Sequence, residues 1–162
     1  MNVAVFSDTH SNTGRMVAEL RRCQPDVILH LGDLERDARV LRKEFPEIPV
    51  YSVCGNCDYG SREPEEGVVS LGPVKAFLTH GHLYNVRWGV DSLVYAAQEQ
   101  ECQLALYGHT HIADSQELGG VKVVNPGTAG VGRELTYAWI TIFDNGAISC
   151  EIRDFHSAAG AP

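Results

Sequence analysis

Short, almost continuously apolar runs alternate with helical patterns along the first half of the chain. The runs at residues 2–7, 26–31 and 50–53 have the length and composition of buried strands. Between them, apolar positions recur at helical spacing in the segments that end near residues 23 and 45. Strand, helix and strand at these lengths are typical of right-handed βαβ crossovers, so the pattern predicts a parallel sheet.

The second half of the chain contains more turns. A hairpin is predicted for residues 68–79, followed by a helical pattern from Val86 to about residue 100. Glycine and Asn-Gly turns then separate further predicted strands at residues 104–107, 112–118, 121–124, 137–143 and 147–153. We predict an α/β fold, a four-layer α/β/β/α sandwich of two mixed β-sheets flanked by helices. One domain should cover residues 1–156, with a tail at residues 157–162.

Five of the apolar runs stop where a side chain that can bind metal appears. The stops lie at residues 6–10, 29–33, 53–58, 78–82 and 106–111. Ligands of open α/β sheets bind at the carboxyl ends of the strands, so these stops are expected to converge. The candidate metal ligands are Asp8, His10, Asp33, Asn56, His80, His109 and His111. An extended backbone after the last of these strands would point His109 and His111 to the same side.

The donor set is chemically informative. Two carboxylates, four imidazoles and one amide oxygen suit Mn²⁺, Fe²⁺, Zn²⁺, Co²⁺ or Ni²⁺ and suit copper(I) poorly. A structural zinc site is closed by four ligands, which is fewer than this set supplies. The set fits two divalent metal ions that share a bridging carboxylate, an arrangement used for in-line attack on phosphorus.

These motifs, in this order, resemble the calcineurin-like metallophosphoesterases. The details resemble the small YfcE-like phosphodiesterase branch, to which the retromer's phosphoesterase-like subunit is related. The resemblance runs from residue 8 to residue 127. It is carried by the segments Asp8 to His10, Gly32-Asp33, Gly55 to Asp58, His80 to His82, Gly108 to His111 and Asn125 to Gly127.

The resemblance implies a division of the ligands between two ions. The first ion would be bound by Asp8, His10 and His111, the second by Asn56, His80 and His109, and Asp33 would bridge them. Asp58 would orient Asn56 or a ligating histidine.

The leaving-group acid departs from the pattern of the larger family members, which carry histidine where this chain has Cys57. His82 is our candidate to replace that histidine, because i+2 spacing from His80 points it at the same cleft if the backbone is extended. The predicted catalytic residues are therefore His82, Asn56 and Asp58.

The expected activity is that of a phosphodiesterase that hydrolyses small phosphate esters by attack of a metal-bridging hydroxide, with Mn²⁺ favoured. Two divalent ions, two carboxylates and a hydroxide leave one net positive charge. That charge matches a phosphodiester monoanion better than a monoester dianion.

Charge and composition narrow the partners. The formal net charge of −8 makes nucleic acid an unlikely partner and a nuclease the weaker enzyme alternative. No apolar run approaches the roughly 20 residues of a membrane span, and no signal peptide is recognisable, so we expect a cytoplasmic protein without membrane contact. An odd number of cysteines, five, argues against a disulfide framework.

A protein-interaction scaffold with this fold is the main alternative from another class, although a scaffold has no need for a complete ligand set. Trp88 and the apolar hairpins are compatible with a homo-oligomer.

Several other residues are expected to have ordinary structural roles. We expect His30 to be buried in the core or beside the site, His156 to be solvated, and Asn125 to stabilise its turn. Trp88 and Trp139 should fill the core or an interface. The charged segments at residues 35–39 and 63–66 should be solvated.

Overall fold

The structure, a computed structural model, describes residues 1–155; His156 and the predicted tail at residues 157–162 lie outside this range. Within it, strands and helices alternate at first, and strands dominate later. The elements are β1 Asn2–Phe6, α1 Thr13–Cys23, β2 Val27–His30, α2 Glu35–Glu44, β3 Val50–Ser52, β4 Glu66–Leu71, β5 Val74–Thr79, a 3-10 turn His82–Tyr84, α3 Asp91–Glu99, β6 Leu104–Leu106, β7 Asp114–Leu118, β8 Val121–Asn125, β9 Thr136–Ile142 and β10 Ile148–Asp154.

The strands form two five-stranded mixed sheets. The first has the order β10-β9-β1-β2-β3, with β1, β2 and β3 parallel and the last two strands of the chain antiparallel. The second has the order β4-β5-β6-β8-β7, with a parallel centre and an antiparallel hairpin at each edge.

Alternating side chains build the layers. Val3 and Val5 of β1 point into the core between the two sheets, while Ala4 and Phe6 pack with Met16 and other residues of the α1 and α2 layer. On the far side, α3 covers the second sheet through an apolar cluster of its own. The four-layer α/β/β/α prediction is confirmed.

The predicted third helix begins later than expected. Residues 82–84 form a 3-10 turn, and left-handed backbone at Gly81, Asn85 and Gly89 interrupts the segment before α3 begins at Asp91. Val86 is still buried in the α3 cluster, so the apolar stripe is real although the chain there is not helical.

The other expectations about burial and cysteines are met in part. Trp139 is 9% exposed and belongs to the core, but Trp88 is 93% exposed and does not. All five cysteines are free, as expected. Among residues 1–155, no helix combines the length and the apolar composition needed to cross a bilayer.

The predicted solvation of the two charged segments is wrong at particular residues. Asp37 is only 3% exposed. The side chain of Glu63 is only 20% exposed and forms a 2.7 Å ion pair with Arg42, whereas Glu65 and Glu66 are exposed as predicted.

Candidate metal centre

The loops that follow β1, β2, β5 and β6 meet at one end of the two sheets. The backbone N–H of Asp8 donates to Gly32 O at 3.1 Å, and the N–H of Gly108 donates to His80 O at 2.9 Å. A Cβ at Gly108 would lie 2.8 Å from an Asp8 carboxylate oxygen and would overlap Ser7. The absence of a side chain at this position therefore lets the loops approach closely enough for their polar residues to converge.

One cluster of donors lies around Asp8. One ligand atom each from Asp8, His10 and His111 fall within 4.8 Å of one another, and His111 Nε2 lies 3.0 Å from Asp8 Oδ1. Asp8 is fully buried, whereas the side chain of His111 is 37% exposed. This cluster can therefore be reached from solvent on the histidine side.

A second cluster shares Asp8 and adds Asp33 and His80, again within 4.8 Å. His80 Nε2 lies 3.4 Å from Asp33 Oδ2 and 3.8 Å from Asp8 Oδ1. The opposite ring nitrogen, Nδ1, lies 2.6 Å from Leu31 O. Because a carbonyl only accepts hydrogen bonds, Nδ1 carries the proton. In the neutral ring, Nε2 therefore has a free lone pair, on the side of the ring that faces Asp8 and Asp33.

In the second cluster, Asp33 and His80 each favour the charged form of the other. Burial alone would raise the pKa of Asp33, but His80 and the N–H of Cys57, which donates to Asp33 Oδ1 at 3.0 Å, lower it well below its usual range. Burial opposes charge on His80 as well, yet Asp33 and Asp8 raise its pKa. Asp33 is therefore held as a carboxylate at neutral pH.

The two histidines of the last motif do not share one side. His109 and His111 both adopt left-handed backbone, with φ of 69° and 61°, so the predicted extended geometry is wrong. The centre of the His109 ring lies 5.2 Å from the centre of the His80 ring, and the centre of the His111 ring lies 5.6 Å from the centre of the His10 ring. The turn sends the two imidazoles to opposite ends of the site.

His82 reaches the candidate metal centre by another backbone geometry than predicted. It begins the 3-10 turn after Gly81, whose φ is 106°, so the backbone is not extended there. Its ring nevertheless lies 5.6 Å from that of His80 and 6.2 Å from that of His109. Burial first, and His80 second, lower the pKa of His82, which favours the neutral imidazole.

Asn56 is exposed on the loop after β3, where its amide donates to Cys57 Sγ at 3.5 Å. It makes no hydrogen bond to His80 or His109 within the described residues. Burial, followed by contact with Asp33, raises the pKa of the Cys57 thiol, so this thiol stays protonated at neutral pH.

Asp58 holds backbone rather than a ligand side chain. Its carboxylate accepts hydrogen bonds from the N–H groups of Asp33 at 3.0 Å, Glu35 at 2.7 Å and Gly55 at 2.7 Å. Among residues 1–155, neither Asn56 nor any histidine forms a hydrogen bond with Asp58, which differs from the predicted contact. Asp58 instead ties the loop carrying Asp33 to the loop after β3.

A buried network behind the ligands was missed by sequence reasoning. The Gly32 N–H donates to His30 Nδ1 at 3.3 Å, so His30 Nε2 carries the proton and donates to Thr9 Oγ1 at 3.0 Å. The Thr9 hydroxyl in turn donates to Asp37 Oδ2 at 2.5 Å. Burial, the main cause, lowers the pKa of His30 to about 4, so the ring is neutral.

His30 is thus buried beside the site, as expected. Asp37 looked like surface charge because it lies among arginines and glutamates; a helical wheel that places it on the face of Ala38 and Leu41 is the only signal in the sequence. Asn125 has the expected structural role, because its amide donates to Gly108 O at 3.0 Å and to Thr110 Oγ1 at 2.9 Å.

The cluster contains polar atoms that the protein itself does not satisfy. Among the described residues, Asp8 Oδ1, His10 Nε2, His80 Nε2 and His82 Nδ1 are buried and make no hydrogen bond. Each such atom costs about 1–3 kcal/mol when left without a partner. A divalent cation would satisfy carboxylate oxygen and imidazole nitrogen together, so these residues fit a metal site.

Comparison with known proteins also indicates a phosphoesterase. Residues 1–145 match the family model of the calcineurin-like phosphoesterase superfamily domain. The probable metallophosphoesterase YsnB of Bacillus subtilis is 31% identical over 153 residues, which cover 91% of this chain and 88% of that protein.

Solved structures share the fold. A predicted phosphoesterase from Streptococcus pneumoniae superposes with a TM-score of 0.76 at 28% identity, covering 94% of this chain and 97% of that one. Vps29 from Entamoeba histolytica, solved in complex with Zn²⁺, has a TM-score of 0.76 at 22% identity, covering 96% and 100%. The chain belongs to the calcineurin-like phosphoesterase superfamily.

Proposed function

We propose that the chain is a metal-dependent phosphodiesterase that acts on small phosphate esters. The observation that carries this proposal is the group of buried, unsatisfied donor atoms on Asp8, His10 and His80 at the meeting point of the loops. Membership of a phosphoesterase family supports hydrolysis of a phosphoester bond. The acidic net charge of −8 supports a small substrate over a nucleic acid.

The proposed site holds two divalent ions, Mn²⁺ for preference, with Ni²⁺, Fe²⁺, Zn²⁺ or Co²⁺ as substitutes. When bound, the ions would activate water for attack on phosphorus and offset the charge of the ester. We assign Asp8, His10 and His111 to the first ion, Asn56, His80 and His109 to the second, and Asp33 to the bridging position. The short distances within the Asp8–His10–His111 cluster support the first set.

The chain's own residues have distinct tasks in this proposal. The Cys57 N–H fixes Asp33 Oδ1, and the Leu31 carbonyl fixes the tautomer of His80. His82, which faces His80 and His109, is proposed to protonate the leaving oxygen from its imidazolium form, which the lowered pKa makes a stronger acid. Preference for a diester follows from the single positive charge expected at the loaded site.

Elemental analysis and a phosphoester panel test this function. We expect two bound ions per chain, and faster Mn²⁺-dependent hydrolysis of bis(4-nitrophenyl) phosphate than of 4-nitrophenyl phosphate. Asp33→Asn should lower the rate by at least about 100-fold, as is typical for loss of a charged group that acts in the transition state. Asp144→Asn, at an exposed position between β9 and β10, is the matched control.

A folded, metal-replete protein that is inert on the whole panel would refute the proposed enzymatic function.

The second candidate function is a protein-binding scaffold, and the observation that favours it is the 93% exposed side chain of Trp88. Capture of a stable partner that Trp88→Ala releases and Asp33→Ala does not would support the scaffold.

A further inference from the structure

A cleft of about 500 Å³ opens beside the loop that carries His109 and His111. Its lining residues come from three segments around the loop after β6: Val86, Arg87, Tyr107, Thr110, Ile112 and Asp114. This volume is within the range of about 300–1,000 Å³ typical of small-ligand sites. The cleft is thus large enough for the organic substituent of an ester.

The cleft shares a loop with the proposed ligands. Thr110 lies between His109 and His111 in the chain, and its hydroxyl oxygen accepts hydrogen bonds from the Asn125 amide at 2.9 Å and the Ile112 N–H at 3.2 Å. The loop therefore has a fixed shape, with histidines toward the carboxylates and Thr110 and Ile112 toward the cleft. A phosphoryl group held by the histidines would have its substituent next to this wall.

The wall combines apolar surface with one unpaired cation. Val86 and Tyr107 are buried beneath the cleft, and Ile112 is 71% exposed along it. The Tyr107 hydroxyl donates to Asp114 at 3.4 Å, so that carboxylate is engaged within the wall. Among the described residues, no carboxylate lies within ion-pair distance of Arg87.

Arg87 lines the same cleft as Thr110, the residue that lies between His109 and His111 in the chain. An anionic group near Arg87 would meet a guanidinium that can donate two parallel hydrogen bonds to one oxyanion.

We propose that this cleft is the substituent subsite of the phosphodiesterase, and that it takes esters whose organic group carries a second oxyanion for Arg87 to bind. The inference rests on the proposed function and defines its substrate class: a small apolar or aromatic body, seated on Val86 and Ile112, with a carboxylate or a second phosphoryl group at its far end. Arg87 is then a specificity-determining residue.

Equilibrium binding of compounds that cannot be hydrolysed tests the subsite without relying on turnover. Benzylphosphonate, 4-carboxybenzylphosphonate and 4-(phosphonomethyl)benzylphosphonate, each as a monomethyl ester whose esterified phosphonate carries one negative charge as a phosphodiester does, would be titrated calorimetrically into the Mn²⁺-loaded protein. At least one oxyanion-bearing compound should bind about tenfold more tightly than benzylphosphonate, as expected for a charge-assisted contact. The carboxylate and phosphonate compounds tell which oxyanion the site prefers.

The variants assign the preference to Arg87. Arg87→Gln should reduce the preference for oxyanion-bearing compounds to within about twofold. The affinity for benzylphosphonate should stay unchanged, since only the charged contact is lost. Arg21→Gln, which removes an exposed guanidinium of α1 paired with Glu44, should retain the preference. Ile112→Ser should weaken all three compounds alike.

Equal binding of all three compounds by the wild type, or a preference that survives Arg87→Gln, would overturn the subsite. If the same protein still hydrolyses bis(4-nitrophenyl) phosphate, the proposed function stands. If none of the phosphonates binds and no ester is hydrolysed, both proposals fail.

Discussion

His82 and Cys57 compete at the residue scale for the role of leaving-group acid. His82→Gln should slow hydrolysis of an alkyl 4-nitrobenzyl phosphodiester by about 100-fold, within the usual range for general acid catalysis, because an alkoxide leaves poorly without a proton. It should slow release of 4-nitrophenolate, a stable anion, far less. Steady-state rates on the two esters measure this difference.

Cys57→Ser is the matched comparison. The pKa of the Cys57 thiol is raised, so the thiol is a weak acid at neutral pH, and the variant should slow both esters by the same small factor. If Cys57→Ser shows the leaving-group dependence and His82→Gln does not, the acid is the cysteine.

Glu19 supports a second residue-scale prediction, concerning stability. It is 4% exposed and accepts hydrogen bonds from Arg22 at 2.5 Å and Tyr137 at 2.7 Å. Burial alone would raise its pKa, but the hydrogen bonds from Arg22, Tyr137 and Cys23 lower it from 4.5 to about 2. Glu19→Gln should therefore cost about 2 kcal/mol of unfolding free energy at pH 7.

The sign of the pH dependence follows from the lowered pKa. The carboxylate contributes its full stabilisation above about pH 4.5 and loses it as the pH falls toward 2, where the folded state also binds the proton. Urea unfolding in chelator should thus show the wild type and Glu19→Gln converging at low pH, while Glu117→Gln, exposed on β7, stays within about 0.5 kcal/mol of wild type. A gap that stays constant from pH 7 to pH 3 would contradict this account.

Residue types were more predictable than residue surroundings. Carboxylates and imidazoles after apolar runs identified the convergent cluster, because strand ends and donor chemistry can be read locally. The burial of Asp37 and the Thr9–His30 contact depend on how α2 packs against the loop after β1, which no local pattern specifies.

At the scale of the elements, the loops owe their geometry to close backbone approach. Gly108→Ala should destabilise the fold by about 1–3 kcal/mol, the usual cost of overpacking, because the added carbon would overlap Ser7 and the Asp8 carboxylate. Thermal unfolding in chelator measures this cost, and Mn²⁺ titration should show weaker binding as well.

Gly14→Ala provides the matched control on α1. A Cβ there meets nothing within 4 Å, so alanine should stabilise the helix by about 0.5–1 kcal/mol and leave Mn²⁺ affinity unchanged. Equal effects of the two substitutions would show that the loop at Gly108 relaxes around a side chain.

The elements also show where period-based reasoning ends. Two-residue spacing placed His80 with His82, and His109 with His111, on common sides of extended chain. The structure turns both segments through left-handed residues, so the first pair stays together and the second separates. Such backbone is set by tertiary contacts, and only Gly81 within the first motif and Gly108 before the second hint at it.

At the scale of the whole molecule, the four layers could be predicted because every buried strand needs cover on two faces. β1 shows this directly: Val3 and Val5 face one layer, and Ala4 and Phe6 face the other. The order of the strands within each sheet could not be predicted, since β9 joins β1 across more than 130 residues of chain.

The same architecture makes stability depend on metal. Asp8 and Asp33 come from separate loops and are 0% and 3% exposed, so their two negative charges are buried close together against His80. Ions that bind only the folded chain stabilise it by mass action, by about 2.7 kcal/mol at 100 times the dissociation constant. For a domain of this size, that gain corresponds to a rise in Tm of about 5–10 °C.

Calorimetric scans with Mn²⁺ and with chelator test this coupling. Asp8→Asn should abolish most of the Mn²⁺-dependent rise, because Asp8 belongs to both donor clusters, and Glu117→Gln should retain it. Coincident wild-type curves with and without chelator would show that the unsatisfied atoms around Asp8 do not bind metal, and the two loops would then owe their convergence to backbone contacts alone. A rise that survives Asp8→Asn would place the ion elsewhere in the chain.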